Sequence, residues 1–251
     1  MFDLTDKIAL VTGGNGGIGL GMARGMGQAG ATVIIVGRNA EKSAAALREL
    51  QSLGVRAESQ ACDVADEAAV QALFAGVEGR HGRLDILVNN AGSTVRKAPQ
   101  DFTLDDWHSV MDVNLTSAFL CARAAYPLMK KAGAGKIINI GSILSIFGAP
   151  YAPAYCASKG GIVQFTKSLA TAWAKDGIQA NAVLPGWIDT ELTVGARNQV
   201  AGLNERVLAR TPAGRWGVPQ DLAGIAVFLA SAASDFVTGA AIPVDGGYSV
   251  S

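Results

Sequence analysis

Lys7-Ile8-Ala9-Leu10-Val11-Thr12-Gly13-Gly14-Asn15-Gly16-Gly17-Ile18-Gly19 is the stretch on which the reading of this chain turns. The first five residues form a short apolar run rich in strand formers. It breaks at once into glycines, and a helical pattern then continues to about Ala29. Strand, glycine-rich turn and helix in this order are the setting that a dinucleotide-binding turn requires. Glycine lets the backbone bend sharply and approach a pyrophosphate, whose charge then lies at a helix amino terminus. The same glycines would also serve tight helix–strand packing alone.

Working outward, the pattern repeats. Thr32-Val33-Ile34-Ile35-Val36 reads as a second strand, followed by Gly37-Arg38-Asn39 and an Ala-rich amphipathic helix over Ala40 to Leu53. A third strand is expected to end at Cys62-Asp63-Val64. A fourth, Leu84 to Asn89, runs into Asn90-Ala91-Gly92. Strands alternating with helices imply an α/β fold: a parallel sheet covered on both faces. With neither a Pro/Ser-rich linker nor a solenoid-length repeat, a single domain over residues 1–251 is expected.

Two strand ends carry polar choices. About 20 residues past the glycine turn, a carboxylate would accept the ribose hydroxyls of NAD and repel the extra phosphate of NADP. Here Gly37 precedes Arg38, whose guanidinium matches a phosphate in charge and geometry, so NADP(H) is expected over NAD(H). A solvated arginine at a strand end is the plainer alternative. Asp63 is positioned to accept from an adenine amino group or to cap the helix starting near Asp66.

Trp107 to Lys131 reads as one long helix with Asn114 inside an apolar setting, unusual for a side chain that competes for backbone hydrogen bonds. It is either a site residue or a satisfied core amide. Strand Lys136 to Ile140 leads to Ser142, at a carboxyl end where open α/β sheets bind ligands. Tyr155 and Lys159 stand four apart, side by side on one helix face. A phenol, an ammonium and a hydroxyl aimed at one place can polarise a carbonyl and give it a proton. Tyrosine's ordinary pKa is about 10, so Lys159 and a positive nicotinamide ring are expected to draw Tyr155 down toward neutrality. Strand Ile178 to Leu184 ends at Pro185-Gly186-Trp187-Ile188-Asp189-Thr190. A less regular stretch to about Gly217 follows and is expected, over 188–217, to serve as a substrate lid. Helix Pro219 to Ala230 and strand Ala241 to Val244 close the chain.

Of the 251 residues, 49% are apolar and 17% charged, enough for a sizeable core and unlike a disordered chain. A net charge of zero argues against nucleic acid or an anionic membrane as partner. No apolar run is long enough to span a bilayer, and the opening Met1-Phe2-Asp3-Leu4-Thr5-Asp6 lacks the pattern of a secretory signal. Cys62, Cys121 and Cys156 are too far apart for a disulfide framework or metal knuckle, so no metal is expected and a cytoplasmic location is.

Thr12-Gly13-x-x-x-Gly17-x-Gly19, Asn89-Asn90-Ala91-Gly92, Asn114, Ser142, Tyr155-x-x-x-Lys159 and Pro185-Gly186, in that order over nearly the whole chain, resemble the short-chain dehydrogenase/reductase family. Tyr-x-x-x-Lys alone is uninformative; together with Ser142 thirteen residues upstream it is specific. The resemblance implies a doubly wound Rossmann fold of seven parallel strands. It also implies a homotetramer with Val237 to Tyr248 near a subunit interface. Its implied catalytic set is Asn114, Ser142, Tyr155 and Lys159, with Asn114 positioning a water that links Lys159 to solvent. Implied cofactor contacts are Gly13, Asn15, Gly16, Gly17, Ile18, Gly19, Arg38, Asn39, Asp63, Val64, Asn90, Ala91, Gly92, Tyr155, Lys159, Pro185, Gly186, Ile188 and Thr190. Substrate contacts are Arg96, Ser142, Tyr155 and Trp187.

Arg210 to Gly217 with Asp221-Leu222, Gly37 to Glu41, and Arg96-Lys97-Ala98-Pro99 resemble the gluconate 5-dehydrogenase and 2-deoxy-gluconate dehydrogenase branch. The implied reaction is hydride transfer between a nicotinamide and a secondary alcohol or ketone of a sugar acid. The basic pair Arg96-Lys97 would hold the substrate carboxylate, or else is merely solvated. One departure stands out: many NADP-using members carry a basic residue inside the glycine turn, where this chain has Asn15-Gly16. Alternatives are a 3-oxoacyl-[acyl-carrier-protein] reductase and, from another class, a non-catalytic dinucleotide-binding protein.

Overall fold

In the computed structural model, which describes Met1–Ser251, β1 (Ile8–Thr12) lies inside a seven-stranded sheet. The other strands are β2 (Thr32–Gly37), β3 (Ala57–Ala61), β4 (Ile86–Asn89), β5 (Gly135–Ile140), β6 (Ile178–Pro185) and β7 (Ala241–Val244). Their order is β3-β2-β1-β4-β5-β6-β7 and every pairing is parallel. The chain therefore winds one way from β1 to β3, then returns to place β4 on the other side of β1. That reversal opens a crevice beyond the carboxyl ends of β1 and β4.

All five residues of β1 are buried because both faces are covered. Leu10 and Ile34 point into one core, with Phe74, Leu120, Met129 and Leu169. These come from α3 (Glu67–His81), α5 (Ser117–Ala132) and α6 (Pro153–Trp173). Ala9, Val11 and Ile35 point into the other, with Met22, Met26, Leu50 and Leu229. Those come from α1 (Gly17–Gln28), α2 (Ala40–Ser52) and α9 (Ala223–Ala230). Successive strand residues alternate between the two cores, as the twofold repeat of a strand requires. No helix is long and apolar enough to cross a membrane.

Three local readings are corrected. The strand expected to reach Val64 stops at Ala61, because Asp63 Oδ1 accepts from Ala65 N at 3.1 Å and turns the chain off the ladder. Asp66, not Asp63, caps α3 by accepting from Ala68 N and Ala69 N. The long helix begins as α4 (Leu104–Met111) and continues into α5, with a π turn between them over Asp112–Thr116. Its cause is visible: the Asn114 amide is committed to Ser93, and Ser117 Oγ donates to Val113 O at 2.6 Å. Such turns recur at functional positions in helices.

The stretch expected to be irregular after Thr190 holds two helices, α7 (Glu191–Gln199) and α8 (Leu203–Arg210). α7 buries only Ala196, and α8 only Leu203 and Val207. Both are short, nine and eight residues, less than the window over which helical periodicity is read. Trp187, Val200 and Trp216 pack against these three residues to form a small separate core.

Candidate active site

Beyond the end of β5, Ser142 opens a short turn, its Oγ accepting from Leu144 N at 3.0 Å. Ser145 ties this loop to α6: its Oγ accepts from Ser142 N at 3.1 Å and donates to Lys159 O at 2.7 Å. Pro153 at the start of α6 leaves no orphan N–H there, and Tyr155 and Lys159 follow within two turns. Lys159 is 3% exposed, and its Nζ donates to Ile140 O at 2.7 Å. The ammonium lies 5.7 Å from the Tyr155 ring centroid.

Asn114 is equally enclosed. Its Oδ1 accepts from Ser93 N at 2.8 Å, and its Nδ2 donates to Ser93 O and Ser158 Oγ, both at 3.0 Å. Across Gly92 it faces Lys159: a Cβ on that glycine would be 3.5 Å from Asn114 Oδ1 and 3.6 Å from Lys159 Nζ. Side chains from three separate elements, Asn114, Ser142 and the Tyr155–Lys159 pair, thus surround one small volume.

Burial dominates the electrostatics of the chain's own groups here. Burial pushes the Tyr155 phenol above its usual range, opposed by the Ser142 hydroxyl and, at longer range, by Arg96. Lys159 does not lead that opposition, because burial acts on it too and pushes its ammonium down to about 8. Burial thus shifts both groups toward their neutral forms, while Lys159 stays protonated at neutral pH. A lysine with a folded pKa below its unfolded value costs stability at low pH, and that cost is relieved as pH rises from about 8 toward 10.5. Lys159→Met removes the penalty. The stability of the native protein relative to Lys159→Met should then rise by about 2 kcal/mol between about pH 7 and 9.5. Denaturant unfolding at the two pH values measures it; a pH-independent difference would mean that Lys159 is not desolvated.

The glycine turn faces the same volume from the other side. Gly13 and Gly17 have φ of 61° and 51°, a left-handed region that side chains resist. Thr12 Oγ1 accepts from Asn90 N and Ala91 N, each at 3.0 Å. Asn90 Nδ2 donates to Thr12 O at 2.9 Å and Gly13 O at 3.1 Å. This stitch joins the ends of β1 and β4. Asn89 is committed elsewhere, donating to Asn139 Oδ1 at 2.9 Å inside the core.

A groove of about 510 Å³ runs from Gly13, Asn15, Gly16, Gly17 and Ile18 past Asn90, Ala91 and Gly92 to Ser142, Tyr155 and Lys159. Pro185, Gly186, Ile188 and Thr190 form its other wall. Gly19 lies just beneath the turn, in α1. A second recess of about 550 Å³ opens at the ends of β2 and β3, with Arg38, Asn39, Asp63 and Val64 on its walls. Arg38 Nη1 is 3.4 Å from Asp63 Oδ2, and both side chains remain exposed. Asn39 caps α2, accepting from Lys42 N at 2.9 Å. Length, glycine floor and polar ends suit an extended dinucleotide.

A smaller cavity adjoins the groove, and Ser142, Tyr155 and Gly186 belong to both. Arg96, Tyr151, Trp187 and Leu192 close it. The basic pair is split. Arg96 is held by Leu192 O at 2.9 Å and Gln199 Oε1 at 3.2 Å, whereas Lys97 Nζ turns away to Asp106 Oδ2 at 2.6 Å. Trp187 Nε1 is buried without a partner. Tyr151, Leu192 and Gln199 escaped the sequence reading. Tyr151 precedes α6, which begins at Pro153, so helical spacing from Tyr155 does not reach it, and the other two lie on α7. No group of His, Cys, Asp and Glu side chains could hold a metal ion.

Known proteins match this arrangement along its length. Residues 13–249 match the family described as enoyl-(acyl carrier protein) reductase. The 2-dehydro-3-deoxy-D-gluconate 5-dehydrogenase of Bacillus subtilis is 44% identical over 252 residues, covering 98% of this chain and 96% of that protein. The gluconate 5-dehydrogenase of Gluconobacter oxydans is 40% identical over 253 residues, covering 100% and 98%. The crystal structure of a gluconate 5-dehydrogenase from Burkholderia cenocepacia, in complex with NADP and tartrate, superposes with a TM-score of 0.94 at 45% identity, covering 100% and 98%. A serine at the end of β5, a tyrosine–lysine pair on α6 and a glycine turn after β1 meet at one crevice, and the likeness spans both chains end to end; the protein belongs to the short-chain dehydrogenase/reductase family.

Proposed function

We propose that the protein is an NADP(H)-linked oxidoreductase that interconverts a secondary alcohol and a ketone of a sugar acid. One observation carries this: Ser142 and Tyr155 stand on the wall shared by groove and cavity, and the cavity also holds a cation, Arg96. A nicotinamide cofactor, when bound, supplies or accepts the hydride. The rest belongs to the chain. Ser142 donates to the substrate oxygen and orients it toward Tyr155, which gives up its proton in reduction and takes one in oxidation. Lys159, anchored on Ile140 O, steadies the phenol, and Asn114 keeps the Ser93 loop and α6 in register beside it. Arg96 binds the substrate carboxylate, a charge-assisted contact in a partly buried setting. The relatives' names, gluconate and deoxygluconate dehydrogenases, agree with a carboxylate partner.

Residues 188–217 serve as the lid of this single domain: α7 holds Arg96 through Leu192 and Gln199 and lies over both openings. A cytoplasmic homotetramer is the form we assign. Its three thiols are unpaired, and Phe236 and Val250 beside the edge strand β7 are fully or largely exposed. Sedimentation equilibrium tests that assembly; a monomer at micromolar concentration would refute it.

The activity is tested by offering a ketogluconate, an acetoacetyl thioester and a simple ketone with NADPH and with NADH. The ketogluconate with NADPH should give the highest kcat/KM. A thioester that wins by a wide margin would overturn the substrate, and a clear NADH preference would overturn the cofactor. Arg96→Ala should raise the ketogluconate KM by about tenfold or more while leaving that for the simple ketone nearly unchanged.

A further inference from the structure

The glycine turn contains no basic residue, and Gly37 followed by Arg38 is all that β2 contributes at the position that selects between the two cofactors. The fold supplies a second cation from elsewhere. Lys42, in the first turn of α2, lays its side chain over the turn: a Cβ on Gly16 would lie 2.6 Å from Lys42 Cε and 3.0 Å from Nζ. The ammonium thus occupies the space that a basic side chain on the turn itself would reach.

Two contacts set that position. Asn39 caps α2 through Lys42 N, and Asn15 Nδ2 in the glycine turn donates to Ser43 Oγ at 3.0 Å. The same Asn15 amide closes position 37, where a Cβ would meet Nδ2 at 2.3 Å. A carboxylate that would favour NAD cannot be seated there without displacing it.

Lys42 lines both the main groove and the recess that holds Arg38. Each cation has a carboxylate beside it: Arg38 faces Asp63 at 3.4 Å, and Lys42 Nζ donates to Glu191 Oε2, on α7, at 2.5 Å. Glu191 is 84% exposed, and ion pairs this open to water are held weakly. A phosphate monoester offers greater charge and three acceptor oxygens, so it outcompetes a lone carboxylate for an ammonium.

We infer that Lys42 is a specificity-determining residue, which joins Arg38 in binding the extra ribose phosphate of NADP(H) and leaves Glu191 to do so. The inference rests on the NADP reading above and assigns its second ligand. It separates Lys42 from the pyrophosphate, which both cofactors share.

Calorimetric titration of the full chain with NADP⁺ and with NAD⁺ tests it, since the two differ only in that phosphate. Lys42→Met should weaken NADP⁺ binding by about tenfold or more and leave NAD⁺ within about twofold. Lys42→Arg should keep the preference for NADP⁺. Glu191→Gln, which loosens the competing pair, should tighten NADP⁺ by a few-fold. Equal weakening of both cofactors by Lys42→Met would assign Lys42 to the pyrophosphate or the fold and overturn the inference, as would an unchanged NADP⁺ affinity. Those results with a wild-type preference for NADP⁺ leave the cofactor reading standing; a wild-type preference for NAD⁺ overturns both.

Discussion

Tyr155→Phe should lower turnover by about three orders of magnitude while leaving NADP⁺ affinity nearly unchanged. The substitution keeps the ring, and with it the wall between groove and cavity, and removes only the hydroxyl. Ser142 and Thr193 are the other side chains of that wall with an exchangeable proton; both are ordinary hydroxyls and far weaker acids, and Thr193 Oγ1 is committed to Ile188 O at 2.6 Å. Pre-steady-state reduction of the ketone, followed by cofactor absorbance, measures the loss, and a fluorescence titration checks binding. Retained turnover would mean that another group handles the proton. The direction of the Tyr155 shift adds a second readout. Burial keeps the phenol protonated at neutral pH, so reduction finds its donor loaded. Oxidation needs the phenolate, and its kcat/KM should climb as pH rises above neutrality.

The second large effect is expected at Gly19. A Cβ there would come within 2.4 Å of both Asn90 Nδ2 and Gly13 O. Those two atoms are partners, since Asn90 Nδ2 donates to Gly13 O and to Thr12 O. Gly19→Ala therefore drives a methyl into the stitch that holds the ends of β1 and β4. Overpacking of this kind costs about 1–3 kcal/mol. Because the displaced atoms are the floor of the groove, much of that cost should appear in binding, with NADP⁺ affinity falling by about 100-fold. Calorimetry alongside a thermal melt separates the two contributions. Unchanged affinity would show that the turn can yield without losing its shape.

What could be read from the sequence followed from local rules. Apolar runs such as Val33–Val36 and Ile137–Ile140 announced buried parallel strands, and the glycines after Thr12 announced the turn, because periodicity and backbone freedom are properties of neighbouring residues. Four-residue spacing was enough to put Tyr155 and Lys159 on one face of α6. The sequence also placed Ser142 at a strand end. It did not reveal α7 and α8, since helices of eight or nine residues are shorter than the window over which periodicity is read.

Tertiary structure decided the rest, because it concerns partners and solvent. Arg96 and Lys97 are adjacent and chemically alike, yet only Arg96 faces the cavity, as Asp106 captures its neighbour. Burial, which local spacing does not encode, pushes the Tyr155 phenol up, and Lys159 is itself desolvated and committed to Ile140 O. Lys42 and Glu191 are 149 residues apart and meet over the glycine turn. Sequence by itself determined where strands end and which reactive side chains stand there; which of those side chains face one another, and how much water remains between them, depended on the three-dimensional packing that local spacing does not encode.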